Sequence, residues 1–445
     1  MVSNRWQKIY EEEARRVIFL IDSKSFYASV ECVERGLNPL KAMLVVMSHQ
    51  ENLKGGLVLA SSPMAKKRLG ISNVTRQKDV PDDPNLVKAE PRMNLYIKKN
   101  LEINAIYQRY VDEAHLLPYS IDESILDVTD FWRLFADSPK ELAEMIQKQV
   151  LKETGIYLSV GIGDSPVLAK LALDLEGKKA RHLLAEWHYE DVPEKLWPVT
   201  DFSSVWSIGR KTAQKLKGWG IDSLGDLARY NPYVLKQKLG IVGEQLYALA
   251  WGIDRSDLAE EVQVKNKSYG NSQVLPYNYR NREEIRVVIL EMADQVAARL
   301  RAHGVQAALV SLYLGYAEQK IDFDERHDRS TGLHKTVRIE PSNKTKTMMA
   351  VLEGLFNRYW DGRPVRHVGV TMADLGTERI RPLSLFDEPA DEKEEKQDPV
   401  DQVVDQLRQR FGAAAIVRSL SLEHGARAIE RAGLVGGHNG GNAYE

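Results

Sequence analysis

The chain of 445 residues contains a single cysteine, Cys32, so neither an internal disulfide nor a cysteine-based zinc site can form. No uninterrupted apolar stretch reaches membrane-spanning length, and Met1–Arg16 carries charges where a signal peptide needs an apolar region. These absences describe a cytoplasmic protein in a reducing compartment, without a membrane partner. An excess of one charge is lacking too: 61 basic residues against 63 acidic leave a net charge of −2, so any nucleic-acid contact must come from local basic faces. No P-loop, His/Asp nuclease cluster or second set of paired carboxylates is apparent, which argues against ATP hydrolysis and nuclease chemistry.

What is present is enough apolar material, 43% of residues, for about three or four domains. Residues 1–16 read as a polar lead-in, helical at Gln7–Arg16. The run Val17–Ile21 ends in Asp22, and Tyr119-Ser120-Ile121 leads into Asp122-Glu123. Such runs read as buried strands, where a carboxylate is costly unless a cation neutralises it. Three carboxylates on neighbouring strands make a hard-oxygen site suited to Mg²⁺ and to two-metal displacement at phosphorus.

The periodicity predicts helices at Phe26–Arg35, Pro63–Leu69, Asn94–Glu113, Pro139–Thr154 and Pro166–Asp174, with strands at Leu44–Met47, Leu57–Ala60, 119–128 and Ile156–Gly161. The outer elements form a βαβ pattern interrupted by residues 37–93. Asp201–Leu249 is a region of short helices and glycine turns, and 252–267 is a linker. From 268 to 374 the order strand 268–277, helix 281–303, strand 305–316, strand 332–340, helix 344–360, strand 365–373 is a split βαβ-βαβ unit. Residues 387–401 are an acidic, disordered spacer, followed by a helix at Val400–Phe411 and a glycine-rich end.

The segments around Asp22 and Ser120-Ile121-Asp122-Glu123 resemble the opening motifs of the Y-family (translesion) DNA polymerases. Within that family the chain looks nearest the UmuC-like branch and the UvrX-type proteins of Gram-positive bacteria, with matching segments from about residue 17 to 376. The resemblance implies an α/β (α+β) multidomain fold, a right hand with a palm (17–36 and 94–188), small fingers (37–93), a helical thumb with a helix-hairpin-helix (189–251) and a little finger (268–376). Residues 1–16 would be an extension and 377–445 a tail. The implied activity is error-prone, DNA-directed DNA synthesis in damage tolerance and the SOS response. It would join a dNTP to a primer 3′-hydroxyl with two Mg²⁺ ions, Mn²⁺ being a substitute.

By the same resemblance Asp22, Asp122 and Glu123 hold the ions with the Ser23 carbonyl, and Tyr27, beside Phe26, is the steric gate against a 2′-hydroxyl. Lys170 matches the family's triphosphate lysine and Lys67 its fingers cation. Met64 stands where many members have Tyr, and Ser61 could supply the missing donor. Val205–Leu216 resembles a helix-hairpin-helix whose Gly209, Arg210 and Lys211 would hold a DNA phosphate. Lys335 and Arg338 are candidate backbone contacts of the little finger. Arg381–Phe386 resembles a bacterial sliding-clamp peptide, with Leu383, Leu385 and Phe386 as anchors and Pro382 replacing the usual Gln. UmuC-like enzymes also imply an accessory SOS subunit. A non-catalytic scaffold recruiting factors to the clamp is the competing reading, and a palm-type nucleotidyl cyclase a third.

Overall fold

The computed structural model describes residues 10, 12–48, 56–260, 264, 267–317, 332–377, 399–435 and 438–439. They divide into two compact units, drawn mainly from Met1–Met47 with Leu57–Glu261 and from Val262–Gly441. The clamp-like peptide with Leu383, Leu385 and Phe386 lies outside the described residues.

In the first unit β1 (Ile18–Ser23) runs into α1 (Phe26–Glu34). A small sheet follows, ordered β3-β2-β4, from β2 (Leu44–Met47), β3 (Val58–Ser61) and β4 (Val87–Ala89). Helix α2 (Pro63–Leu69) starts on its Ser62 cap and stops at Gly70, whose φ of 66° suits glycine. Helix α3 (Met93–Tyr107) ends several residues before the expected Glu113, without a glycine or proline to mark the place.

The central sheet has the order β5-β6-β1-β7-β8, from β5 (Leu116–Pro118), β6 (Glu123–Asp127), β7 (Leu158–Gly163) and β8 (Leu184–Trp187). One expectation is corrected here. The strand expected over 119–128 is broken: residues 119–122 turn, so Asp122 ends the turn and Glu123 opens β6. The βαβ pattern is present, with β1 lying between β6 and β7 and antiparallel to both. Helix α4 (Pro139–Thr154) carries the chain over β1 from β6 to β7, a split crossover.

Gly161 and Gly163 of β7 let the next helix, α5 (Pro166–Leu171), lie directly on the strand. A Cβ on either glycine would collide with the backbone of Ala169. The chain then winds into a π-helical stretch at Ala172–Gly177, where the sequence had suggested one continuous helix. Short helices α6 (Arg210–Gly218), α7 (Leu224–Arg229), α8 (Pro232–Leu239) and α9 (Ile241–Ala250) complete the unit around a shared core that includes Leu216, Leu224, Leu235 and Leu246. The lead-in is not helical over residues 12–16. Tyr10, within the expected helix, is helical; it stacks on Tyr189 at 4.6 Å and donates to the Trp251 carbonyl at 2.9 Å.

The second unit is a four-stranded antiparallel sheet ordered β11-β10-β12-β9, with two helices on one face. Its elements are β9 (Ser268–Tyr279), α10 (Arg282–Ala302), β10 (Val305–Tyr316), β11 (Gly332–Ser342), α11 (Thr345–Tyr359) and β12 (Val365–Thr377). The apolar face, with Val310, Leu312, Val368 and Val370, packs on α10 and α11. Past residue 398 the chain is no free tail: α12 (Pro399–Phe411) and α13 (Ala428–Ala432) dock on α10. Arg301 of α10, buried, is bound by Asp401 (3.2 Å) and Asp405 (2.6 Å). Asp294 meets Arg408 (2.7 Å) and Arg418 (3.0 Å). Asp401 also accepts from the Thr345 backbone N–H at 3.0 Å, capping α11, whose own Lys344 offers no side-chain cap.

Candidate functional site

Alternation along β1 builds the site. Ile18 and Leu20 face Ala169 and Leu173, and two residues on the same face becomes Asp22. Register then places Ser159 of β7 and Glu123 of β6 on either side of Asp22. The apolar face of the sheet therefore ends in a polar row, Ser159–Asp22–Glu123. Asp122 joins it from the turn, its carbonyl accepting from the Ser23 N–H at 2.8 Å and its carboxylate from the Ser120 hydroxyl at 2.8 Å.

Two lysines answer these acids. Lys170 Nζ lies 2.7 Å from Glu123 and 3.2 Å from Asp174. Lys178 Nζ lies 3.1 Å from Asp22, 3.3 Å from Glu123 and 3.0 Å from Asp174. Burial raises the Asp22 carboxyl above its ordinary value, Lys178 pulls it back, and Asp122 and Glu123 add to the rise. Burial lowers the Lys178 ammonium, but Asp22, Asp174 and Glu123 more than reverse this and leave it well above normal.

Sequence reasoning missed Lys178 and Ser159. In an ideal α-helix Lys170 and Lys178 would lie about 80° apart around the axis, and the wider π turn between them narrows that angle, so that both meet Glu123. Lys170 is a buried brace with 8% of its side chain exposed, whereas Lys178, at 33%, can be reached by a ligand. The Ser159 hydroxyl is buried beside Asp22 without a protein hydrogen-bond partner, and so is the Ser61 hydroxyl at the end of β3. The only available hint for Ser159 was its strand register.

Tyr27, half-buried, lies at the start of α1, and burial together with Asp122 pushes its hydroxyl pKa up. Phe26 is buried behind it, with ring centroids 5.9 Å apart. On α2 it is Lys66 that reaches toward this loop, 3.3 Å from the Ser25 hydroxyl, while Lys67 is exposed one position further on. Gly209 precedes α6 in extended backbone with no side-chain cap, and Arg210 and Lys211 are exposed on its first turn.

In the second unit, strand alternation separates two residues that the sequence grouped. Lys335 turns to the helical face, its ammonium 4.8 Å from the Tyr359 ring centroid. Arg338 is exposed and pairs with Asp374 at 2.7 Å. Lys335 therefore shares no open face with Arg338. The sheet's other face carries a groove of about 360 Å³ lined by Ser272, Ser311, Tyr313, His334, His367 and Thr371 among others.

The donor set fits Mg²⁺ by type: three carboxylates and an unpartnered hydroxyl are hard oxygen ligands. Among the described residues no three acids or histidines already converge on one point. Asp22 and Glu123 are turned to the lysines and Asp122 to Ser120.

Residues 21–174 match the impB/mucB/samB family, 189–221 the HHH motif of the IMS family, and 266–385 the impB/mucB/samB family C-terminal domain. A Bacillus subtilis (strain 168) protein named UvrX for UV-damage repair is 38% identical over 430 residues, 96% of this chain and 99% of that one. DNA polymerase IV 2 of the same organism is 37% identical over 427 residues, 95% and 98% of the two chains. DNA polymerase IV of Moorella thermoacetica is 34% identical over 408 residues, 91% and 96%. Among solved structures, a Y-family DNA polymerase chimera of Dbh and Dpo4 shares the fold, with a TM-score of 0.63 at 23% identity over 81% of this chain and 99% of that one. The chain belongs to the impB/mucB/samB family, the Y-family of DNA polymerases.

Proposed function

We propose that the protein is an error-prone translesion DNA polymerase that adds a deoxynucleotide to a primer end paired to a damaged template. The observation that carries this reading is the polar row at the end of the β1 sheet, where Asp22 and Glu123 lie beside Asp122 and two lysines. When bound, two Mg²⁺ ions would neutralise charge on the reacting phosphate and hydroxyl, held by Asp22, Asp122, Glu123 and the Ser23 carbonyl. The chain's own residues do the rest. Lys178 offers its ammonium to the triphosphate, Lys66 and Lys67 approach from the fingers side, and Lys170 keeps Glu123 in place. Tyr27 closes the sugar side of the pocket by steric exclusion. A small Ala60 near the nascent pair would fit weak shape checking, hence low fidelity.

Gly209, Arg210 and Lys211 would hold the duplex backbone in the thumb, and Arg338 with the open sheet face would hold it in the little finger. Leu383, Leu385 and Phe386 would tether the enzyme to a sliding clamp, and an accessory SOS subunit remains part of the reading.

Primer extension with Mg²⁺ on undamaged and abasic templates tests this function. The wild-type chain should extend both, and the Asp122→Ala/Glu123→Ala chain neither, with primer-template affinity retained. Appreciable extension by the double variant would sink the site.

A further inference from the structure

Helices α1 and α3 meet in register. Tyr27 and Glu31 lie one turn apart on α1, and Arg92 and Tyr96 one turn apart at the start of α3. Opposite Tyr27 stands Tyr96, with ring centroids 4.4 Å apart and planes within 14° of parallel. Opposite Glu31 stands Arg92, with Nε at 3.0 Å and Nη2 at 2.8 Å from the two carboxylate oxygens. The Tyr96 hydroxyl links the two layers by donating to Glu31 Oε1 at 2.8 Å.

Tyr96 and Glu31 are both completely buried. A carboxylate in such a place is tolerated only when fully paired, and this one receives Arg92, Tyr96 and Arg35. Burial alone would raise the Glu31 carboxyl, yet those donors hold it below the usual carboxylate range. Phe26 closes the side of the assembly, its ring edge-on to Tyr96 at 6.5 Å. None of Glu31, Arg92 or Tyr96 belongs to the row of acids and lysines.

A wall that excludes by collision works only if it cannot give way. Tyr27 is half-buried on a first helical turn, so its ring could swing back if the surface behind it were soft. That surface is Tyr96, and its far end is tied down. We infer that Tyr96, fixed through its hydroxyl to the Arg92-bound Glu31 carboxylate, is a positioning residue that holds the Tyr27 ring in place and so sets how strongly the pocket rejects a ribonucleotide. The inference rests on Tyr27 as the sugar gate proposed above.

The test measures, for the full-length protein, the ratio of incorporation efficiencies for a dNTP and its matching rNTP. The chains compared are wild type, Tyr27→Ala, Tyr96→Leu, Tyr96→Phe, Glu31→Gln and the double Tyr27→Ala/Tyr96→Leu, each checked for folding by thermal melting. Tyr96→Leu should lower the ratio by about tenfold, since small misplacement in a pocket has large kinetic effects. Tyr96→Phe and Glu31→Gln keep the ring and loosen its anchor, and should lower it by about two- to threefold. The double variant should discriminate no worse than Tyr27→Ala alone, because both act through one ring.

A merely structural role would slow both nucleotides equally and leave the ratio unchanged. That result in folded Tyr96→Phe and Glu31→Gln, with Tyr27→Ala still losing discrimination, overturns the positioning role alone. An unchanged ratio in Tyr27→Ala overturns the gate and this inference together. If Tyr96→Leu fails to fold, the other two variants decide the matter.

Discussion

Lys178 holds together three carboxylates that would otherwise repel one another at the end of β1. Its removal withdraws the one accessible cation of the row and leaves Asp22 facing Glu123. Lys178→Ala should lower the efficiency of dNTP incorporation on the order of 10²-fold, as loss of a preorganised charge partner typically does. Lys170→Ala should cost less in single-turnover kinetics, because Lys170 is a brace buried behind Glu123. A second residue makes a statement about pH. His188 sits between Asp164 (2.9 Å) and Glu186 (3.5 Å), and its hydrogen bonds to them push its imidazole up to about 10. The folded-state value is raised, so its stabilisation is complete below about 6.5, the unfolded value, and is lost as pH climbs through about 10. With nearly half of the side chain exposed, the effect should stay below about 1 kcal/mol. Melting wild type and His188→Gln from pH 6 to 10.5 should show a difference that shrinks at the alkaline end, and a difference that grows would contradict it. At this scale the acids were legible because a carboxylate beside an apolar run is conspicuous. Lys178 was not, because its partners depend on how the backbone winds between residues 172 and 177.

That winding makes the π stretch the element with the sharpest requirement for length. Each residue of an α-helix advances about 100°. Inserting one alanine after Leu175 would turn Lys178 by about a further 100° and swing it out of the acid row. The insertion should therefore reproduce the Lys178→Ala defect in dNTP incorporation, while Leu175→Ala should not, and equal activity of insertion and wild type would refute the account. Helices with explicit punctuation were legible: Ser62-Pro63 with Gly70, and Ser138-Pro139 with Gly155, bound α2 and α4 as the sequence suggests. The end of α3 carries no such mark and was overestimated. The antiparallel setting of β1 was equally hidden. Buried strands read alike in either direction, and only the turn at 119–122 gives Asp122 and Glu123 their approach to Asp22.

For the molecule as a whole, the docked segment from Pro399 to Val435 is the main departure from the sequence reading. Its signal was invisible to hydrophobic periodicity, because the contacts are charges about a hundred residues apart, Arg301 with Asp401 and Asp294 with Arg408. The outer strands and helices of the second unit, by contrast, follow their apolar alternation closely. Asp401→Ala would strip Arg301 and Arg418 of a partner and uncap α11. Breaking a buried pair of this kind should cost about 3 kcal/mol. Calorimetry of the full chain should show a lowered transition that Asp401→Asn only partly restores, and an unshifted transition would mean the segment is dispensable. The same contact has a consequence for the order of synthesis. Most of the first unit's sequence has been made by Glu261, so that unit can begin to fold while the ribosome is still translating. The second unit has its sheet and both helices by Thr377, yet α11 has no cap and Arg301 no acid until residues 401 and 405 follow. Its final packing thus waits for Asp401 and Asp405 to leave the exit tunnel, and a chain truncated after Thr377 would have a sheet whose helical layer lacks that fastening.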